Sequence, residues 1–390
     1  MKKIELLAPA GDLERLKINL LYGADAVYLG GEKYSLRANA TNFTLDELKE
    51  GCTFAHSLGK RVHQTINIVF HNEDMEDVKE YIGKCVKAGV DAFIVSDPFI
   101  INYIKEEYPK VEVHLSTQSS MTNNMAVKFF EEEGVNRVVL ARELSKDEIK
   151  EIIDSTNVDI EVFLQGAMCS LFSGRCALSS YVTNRDANRG GCAQICRFAF
   201  KTNSEDFTFA SKDLSLAKRI KDLIEIGVTS LKIEGRMRSI YYLATVIGSY
   251  RKLIDAYYDG TLTDELIKRE AKILDRVANR DTSEQFFKGY NDYNDEYFTG
   301  RCEISNQDFL GLVVASDGKY LTIHEKNYFK KGDVAEVFTP SGEVYDYVIS
   351  DIITKDGIVD TARHPEEELK LPFNIEVPKY SMIRKKVNYD

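Results

Sequence analysis

The sequence predicts an α/β fold: a TIM-like (β/α)8 barrel followed by a small antiparallel β-barrel domain. Three observations predict it. Over the first 236 residues, short apolar runs alternate with helical patterns, the mark of parallel strands joined by crossing helices. There are eight such runs, the number that closes a parallel sheet on itself. From about residue 306 the pattern changes to short alternating strands set off by turns.

The expected barrel strands are IELLAPA (4–10), ADAVYLGG (24–31), RVHQTINIVF (61–70), DAFIVSD (91–97), VEVHLSTQ (111–118), NRVVLAR (136–142), IEVFLQG (160–166) and SLKIEGR (230–236). Amphipathic stretches lie between most of them, for example TLDELKEGCTFAHSLG (44–59) and EDMEDVKEYIGKCVKAG (73–89). Asp12, Thr44 and Ser145 stand where an N-cap would open a helix. A long excursion separates the last two strands and contains an extra extended piece, FTFASKDLS (207–215). Residues 238–275 read as two more helices, and the polar, aromatic stretch 277–300 as a linker. FLGLVVAS, KYLTIHE, DVAEVFTP and VYDYVISDII then alternate with the turns SDGK, KKGD and PSGE. The expected domains are the barrel (1–260, with a cysteine-rich loop at 166–200), a helical extension and linker (261–305) and the C-terminal domain (306–390).

The opening MKKIELLAPAGD is interrupted by Glu5 and Asp12, so it does not read as a signal peptide. No apolar run reaches membrane-spanning length. The expectation is a cytoplasmic protein without a membrane partner; a protein partner or homo-oligomer stays open. A net charge of −11 excludes a generally basic surface but permits a local patch. RDANRGGCAQICRFAFK (185–201) is such a patch: Arg185, Arg189, Arg197 and Lys201 oppose only Asp186.

Four of the seven cysteines fall in that region: Cys169, Cys176, Cys192 and Cys196, with six, fifteen and three residues between them. Where thiols stay reduced, such clustering points to metal or redox chemistry rather than disulfides. The intervals are not the two-residue spacing of zinc ribbons. They suit four thiolates around an iron–sulfur cluster, or around a zinc. Four unliganded thiols are the bland alternative, and no histidine is tied to any one cysteine as a nucleophile's partner would be. Cys52, Cys85 and Cys302 stand alone.

Polar residues recur at period two in several strands: His63, Thr65 and Asn67; His114, Ser116 and Gln118; Glu161 and Gln165; Lys232, Glu234 and Arg236. Side chains alternate across a strand, so these sets converge on the barrel interior. Such interiors are ordinarily apolar, and burying an unpaired charge there costs several kcal/mol. A ligand site at the C-terminal mouth, or a self-paired internal network, accounts for the pattern.

EVFLQGAMCSLFSGRCALS (161–179) resembles the signature of the U32 peptidase family, and LAPAGD (7–12), SLRANATNF (35–43), HLSTQ (114–118), NRGGCAQICR (188–197) and SLKIEGRMRS (230–239) fit it too. The resemblance runs over most of residues 4–260. The family name implies a metal-dependent, collagenase-like protease, yet the chain has no HExxH motif and no evident Ser/His/Asp arrangement. The cysteine pattern is most similar to a bacterial branch that hydroxylates the wobble uridine of tRNA at C5 without molecular oxygen. That likeness implies tRNA as partner, prephenate as small-molecule oxygen donor, and a 4Fe–4S cluster on Cys169, Cys176, Cys192 and Cys196, with Cys196 the least constrained. It also admits a non-catalytic, cluster-binding partner protein. Prephenate carries two carboxylates, for which arginines are natural partners, Arg236 first and then Arg142 and Arg175. Glu161 and Glu234, beside Lys232, are the candidate acid/base groups. His114 and Gln118 at the mouth, with Arg189 and Arg197 in the basic stretch, complete the candidate substrate contacts. IRKK (383–386) is a further candidate for tRNA phosphates.

Overall fold

The structure, a computed structural model, describes residues 3–36, 41–203, 205–278, 280–298 and 306–387. Cys302 and part of the SLRANATNF block lie outside the described residues. Eight parallel strands follow one another: β1 (Glu5–Ala10), β2 (Ala26–Gly30), β3 (Arg61–Ile66), β4 (Ala92–Val95), β5 (Glu112–Leu115), β6 (Arg137–Val139), β7 (Asp159–Gly166) and β8 (Ser230–Ile233). Ser230 pairs with Glu5 of β1 on one side and Glu161 of β7 on the other, which closes the barrel.

Helices α1 (Leu13–Leu21), α2 (Leu45–Ser57), α3 (Met75–Ala88), α4 (Pro98–Glu107), α5 (Asn124–Glu132) and α6 (Lys146–Ser155) make the crossings. The expected caps are in place. Asp12 accepts the Arg15 N–H, while Thr44 with Glu47 and Ser145 with Glu148 form capping boxes. Each cap is worth about 1 kcal/mol. Outward-facing strand residues such as Leu6, Val27, Val62, Phe93 and Val113 pack against Leu16, Leu48, Ile82 and Ile100 of the helices. Inside the barrel, the apolar cluster is small: Leu7, Ala26, Tyr28 and Ile94. Much of the remaining interior is polar, and that contrast locates the site.

The excursion after β7 contains the short helix α7 (Leu178–Thr183) and several single turns. It returns through Asp213–Ser215, which pairs antiparallel with the end of β7. The stretch expected as a linker belongs to the same layer: Thr282–Ser283 pairs with Asp213–Leu214, and Glu296–Tyr297 with Ala210–Ser211. Buried Phe287 and Tyr297 anchor it, so its aromatic content serves packing. α8 (Ile220–Glu225), α9 (Ile240–Tyr258) and α10 (Asp264–Ala278) complete the helices.

One interior assignment is corrected. Gln165 shares period-two parity with Glu161, but the β7–β8 register shifts, pairing Lys232 with Phe163 and Ile233 with Gln165. The extra residue turns Gln165 outward, where its Oε1 accepts from Tyr250 Oη of α9 at 2.8 Å.

The last domain is an antiparallel sheet of β9 (Phe309–Ser316), β10 (Tyr320–Glu325), β11 (Val334–Phe338), β12 (Val344–Val348), β13 (Ile352–Thr354), β14 (Gly357–Val359), β15 (Glu368–Pro372) and β16 (Met382–Lys385), with Phe329–Lys330 and Thr361–Ala362 as a separate antiparallel pair. It wraps a core of its own that includes Leu321, Val337 and Leu371. Leu312, Phe338 and Met382 instead join the barrel's core. Phe338 meets Tyr22 edge-on at 5.9 Å, and Phe309 stacks on Tyr241 of α9 at 5.0 Å.

Candidate active site at the barrel mouth

Charge inside the barrel is layered. At the floor, Arg61 pairs with Glu112 at 2.8 Å, while Arg137 donates to Glu5 and, at 3.0 Å, to Glu161. Ser230 donates to both Glu5 and Glu161 at 3.0 Å. Lys232 reaches the other Glu161 oxygen at 2.8 Å. Glu161 is fully buried, and burial alone would push its carboxyl up. Lys232 and Arg137 overrule that and hold it at about 2. Both oxygens of this ionised carboxylate are thus engaged, and Glu161 fixes Lys232 in place.

Above the floor, the rings of His63 and His114 meet edge-to-face at 4.8 Å. Both are fully buried, and desolvation holds both well below the ordinary histidine value, so both are neutral. His114 Nε2 lies 3.0 Å from Glu112, whereas neither ring nitrogen of His63 has a partner among the described residues. Orphaned buried nitrogens are uncommon and mark a place where a small polar molecule would bind. The Lys232 ammonium lies over the Tyr28 ring at 4.5 Å.

The mouth comes next. Tyr28 Oη donates to Glu234 at 3.1 Å, and Arg142 Nη2 lies 4.0 Å from the same carboxylate. Arg142 stacks on Phe163 at 3.8 Å and donates to the Ala167 carbonyl at 2.9 Å. Buried Arg236 donates to Ser35 Oγ at 3.2 Å and to the Leu36 carbonyl. Its guanidinium lies so close to Gly30 that any Cβ there would overlap it. Arg175 Nε donates to the Gln118 carbonyl at 2.6 Å, and the buried Gln118 Oε1 has no partner among the described residues. The structure therefore places Lys232, Glu234, Arg142, Arg175, Arg236 and Gln118 at or just under the mouth, with His114 a layer below.

The four cysteines lie in the loop over this mouth. Gly166 begins it at φ +118°, with the Glu234 carbonyl where a side chain would stand. Glu143 then accepts from Ser173 N–H at 2.7 Å and Ser173 Oγ at 2.8 Å. Asn188 clasps Cys176, accepting its N–H at 2.9 Å and donating to its carbonyl at 3.1 Å. The Cys196 carbonyl accepts from Phe209 N–H at 3.1 Å and Thr208 Oγ1 at 3.0 Å. Burial pushes the Cys169 thiol up, and the nearby Cys196 and Cys176 thiols add to it, against the Leu171 N–H and Arg142. Cys169, Cys176 and Cys196 are half-buried, while Cys192 is exposed. Among the described residues, no three histidine, cysteine or acidic side chains are drawn together as around a single metal ion. The donor set fits an iron–sulfur centre by its chemistry: all four donors are soft thiols, and Cys176 Sγ also accepts the Ser179 N–H at 3.3 Å.

Arg189 is engaged otherwise: it binds Asp74 at 3.0 Å and the Val69 carbonyl at 2.9 Å, tying the cysteine loop to the β3–α3 connection. Arg197 has no ion pair among the described residues. The excursion also exposes Phe172, Tyr181 and Phe198. Tyr28, Phe163 and Asn188 carried no advance signal, because an aromatic in an apolar strand reads as core and a loop asparagine as a turn.

Fold and site together define an α/β-barrel protein with a thiol-rich excursion over the C-terminal mouth of the barrel. The chain belongs to peptidase family U32: the family model matches residues 11–297, and that of the U32 C-terminal domain matches residues 305–384. It is 44% identical to tRNA hydroxylation protein P1 of Bacillus subtilis, covering 98% of this chain and 95% of that one. It is 34% identical to the 23S rRNA 5-hydroxycytidine C2501 synthase of Escherichia coli, over 83% of this chain and 50% of that one. A protein named collagenase from Porphyromonas gingivalis is 33% identical, over 87% of this chain and 84% of that one.

Proposed function

We propose that this protein is an RNA-modification enzyme that hydroxylates the wobble uridine of tRNA at C5, without molecular oxygen and with prephenate as donor. One observation carries the reading: a cation-rich polar cluster and a four-thiol loop meet at a single barrel mouth. Relatives whose names state tRNA and rRNA hydroxylation support it. Lys232 and Arg142 stand by the carboxylates Glu161 and Glu234, while Arg175 donates to the Gln118 carbonyl and Arg236 to Ser35 Oγ. Arginines are the natural partners of a dicarboxylate donor. Arg236 grips one carboxylate, and Glu234, oriented by Tyr28, moves a proton. Cys169, Cys176, Cys192 and Cys196 would hold a 4Fe–4S cluster, which with all four thiolates bound would supply electron transfer, and with only three bound would offer one iron as a Lewis acid. Exposed Phe172, Tyr181 and Phe198, with Arg185 and Arg197, stack unpaired bases and hold phosphates.

The test is protein purified without oxygen. About four irons and four sulfides per chain are expected. RNA from cells lacking the gene should lack the hydroxylated nucleoside, and Arg236→Met should fail to restore it while keeping its iron. One zinc with no iron, together with gelatin hydrolysis lost on chelation, would replace this reading with a peptidase. Iron-loaded protein and unaltered RNA would make it a cluster-binding partner protein.

A further inference from the structure

A second basic surface lies where α10 meets the C-terminal domain. Lys272, Arg276, Lys330, Lys385 and Lys386 line a groove of about 840 Å³, with Asp333 as the one lining carboxylate and Tyr328 as the one aromatic. In a chain of net charge −11, five cations in one concavity run against the overall balance. The groove is a built feature. Arg276 binds Asp308 at 2.7 Å and the Lys386 carbonyl at 3.2 Å, and the Lys386 N–H binds the Val334 carbonyl at 3.2 Å. Lys386 Nζ is held by Asp346 at 2.6 Å, while Asp333 accepts the backbone N–H of Lys330. Among the described residues, the ammonium groups of Lys330 and Lys385 are in no ion pair. Tyr328 is 52% exposed on the rim.

We propose that this groove binds the sugar–phosphate backbone of a double-helical stem of the RNA substrate, away from the base being modified. The inference rests on the RNA-modification reading. Lysines act on phosphates as point charges and read no bases, so the groove contributes position rather than sequence choice. Because Phe309 and Phe338 seat the C-terminal domain on the barrel, groove and mouth stand at a fixed separation. A folded RNA touching both is thereby measured as well as held.

The test uses the full chain, an unmodified tRNA transcript and a salt series. The Lys330→Glu, Lys385→Glu double variant should bind about tenfold or more weakly, and its log Kd against log salt slope should fall by about two. Iron content and Tm should not change, and Lys330→Arg, Lys385→Arg should bind like wild type. Unchanged affinity and slope in the charge-reversed protein, with wild type binding RNA, overturn the groove and leave the functional reading standing. A wild type that binds no RNA removes both. Loss of binding to phosphatidylserine vesicles or polyglutamate, with RNA affinity intact, also overturns the proposal.

Discussion

Glu161 is a hub of the barrel interior. It accepts from Arg137, Ser230 and Lys232 in a site closed to water. Removing one partner of a buried ion pair leaves the others uncompensated, so Glu161→Gln should cost about 3–5 kcal/mol, read as the shift in a urea unfolding curve. Its folded value of about 2 lies below the ordinary 4.5. The stabilisation is therefore complete above pH 4.5 and is lost as acid approaches 2. His63 and His114 act at milder pH. Both are held below the ordinary 6.5, so the unfolded chain takes up protons first, and stability falls as pH drops through 6.5. A His63→Gln, His114→Gln variant should flatten the stability curve just below pH 6.5; an unchanged slope would place the acid sensitivity elsewhere.

Among the elements, the β7–β8 junction decides the site's geometry. The register shift turns Gln165 outward, and the φ of +118° at Gly166 sends the chain into the cysteine loop. Gly166→Ala would press a methyl group on the Glu234 carbonyl in a backbone region closed to alanine. Its iron content should fall together with its stability. Cys169→Ser or Cys176→Ser should lose iron while the barrel's far-ultraviolet dichroism persists; full iron in both variants would end the cluster assignment. Asp213 buttresses the return of the excursion, holding Arg238 at 2.8 Å and Arg280 at 2.6 Å.

For the molecule as a whole, the two domains share apolar surface. Phe338 belongs to the C-terminal sheet yet packs on Tyr22 and Tyr241 of the barrel. Phe338→Ala should cost about 3–5 kcal/mol. Because that contact couples the domains, a single thermal transition should split in two. A uniform drop without splitting would mean that Arg276 and its partners couple them unaided. No helix among the described residues is long and apolar enough to cross a membrane.

By itself the sequence determined the eight strands, the capped helices, the cysteine loop and a polar barrel interior. All of these follow from local spacing: period two for strands, side-chain caps for helix starts, and thiol density for the loop. Only the tertiary structure decided which polar residues face one another. Glu161 became the counter-ion of Lys232 and Arg137, Gln165 left the interior through a one-residue shift, Arg189 became a clasp on Asp74, and the stretch read as a linker joined the barrel layer. Arg137, in a strand of three residues, and Glu5, in the chain's first strand, gave no periodic signal to reveal their pairing. Partners at such separations meet only when the sheet closes. Closure is a property of the whole ring of strands, so no window of sequence contains it.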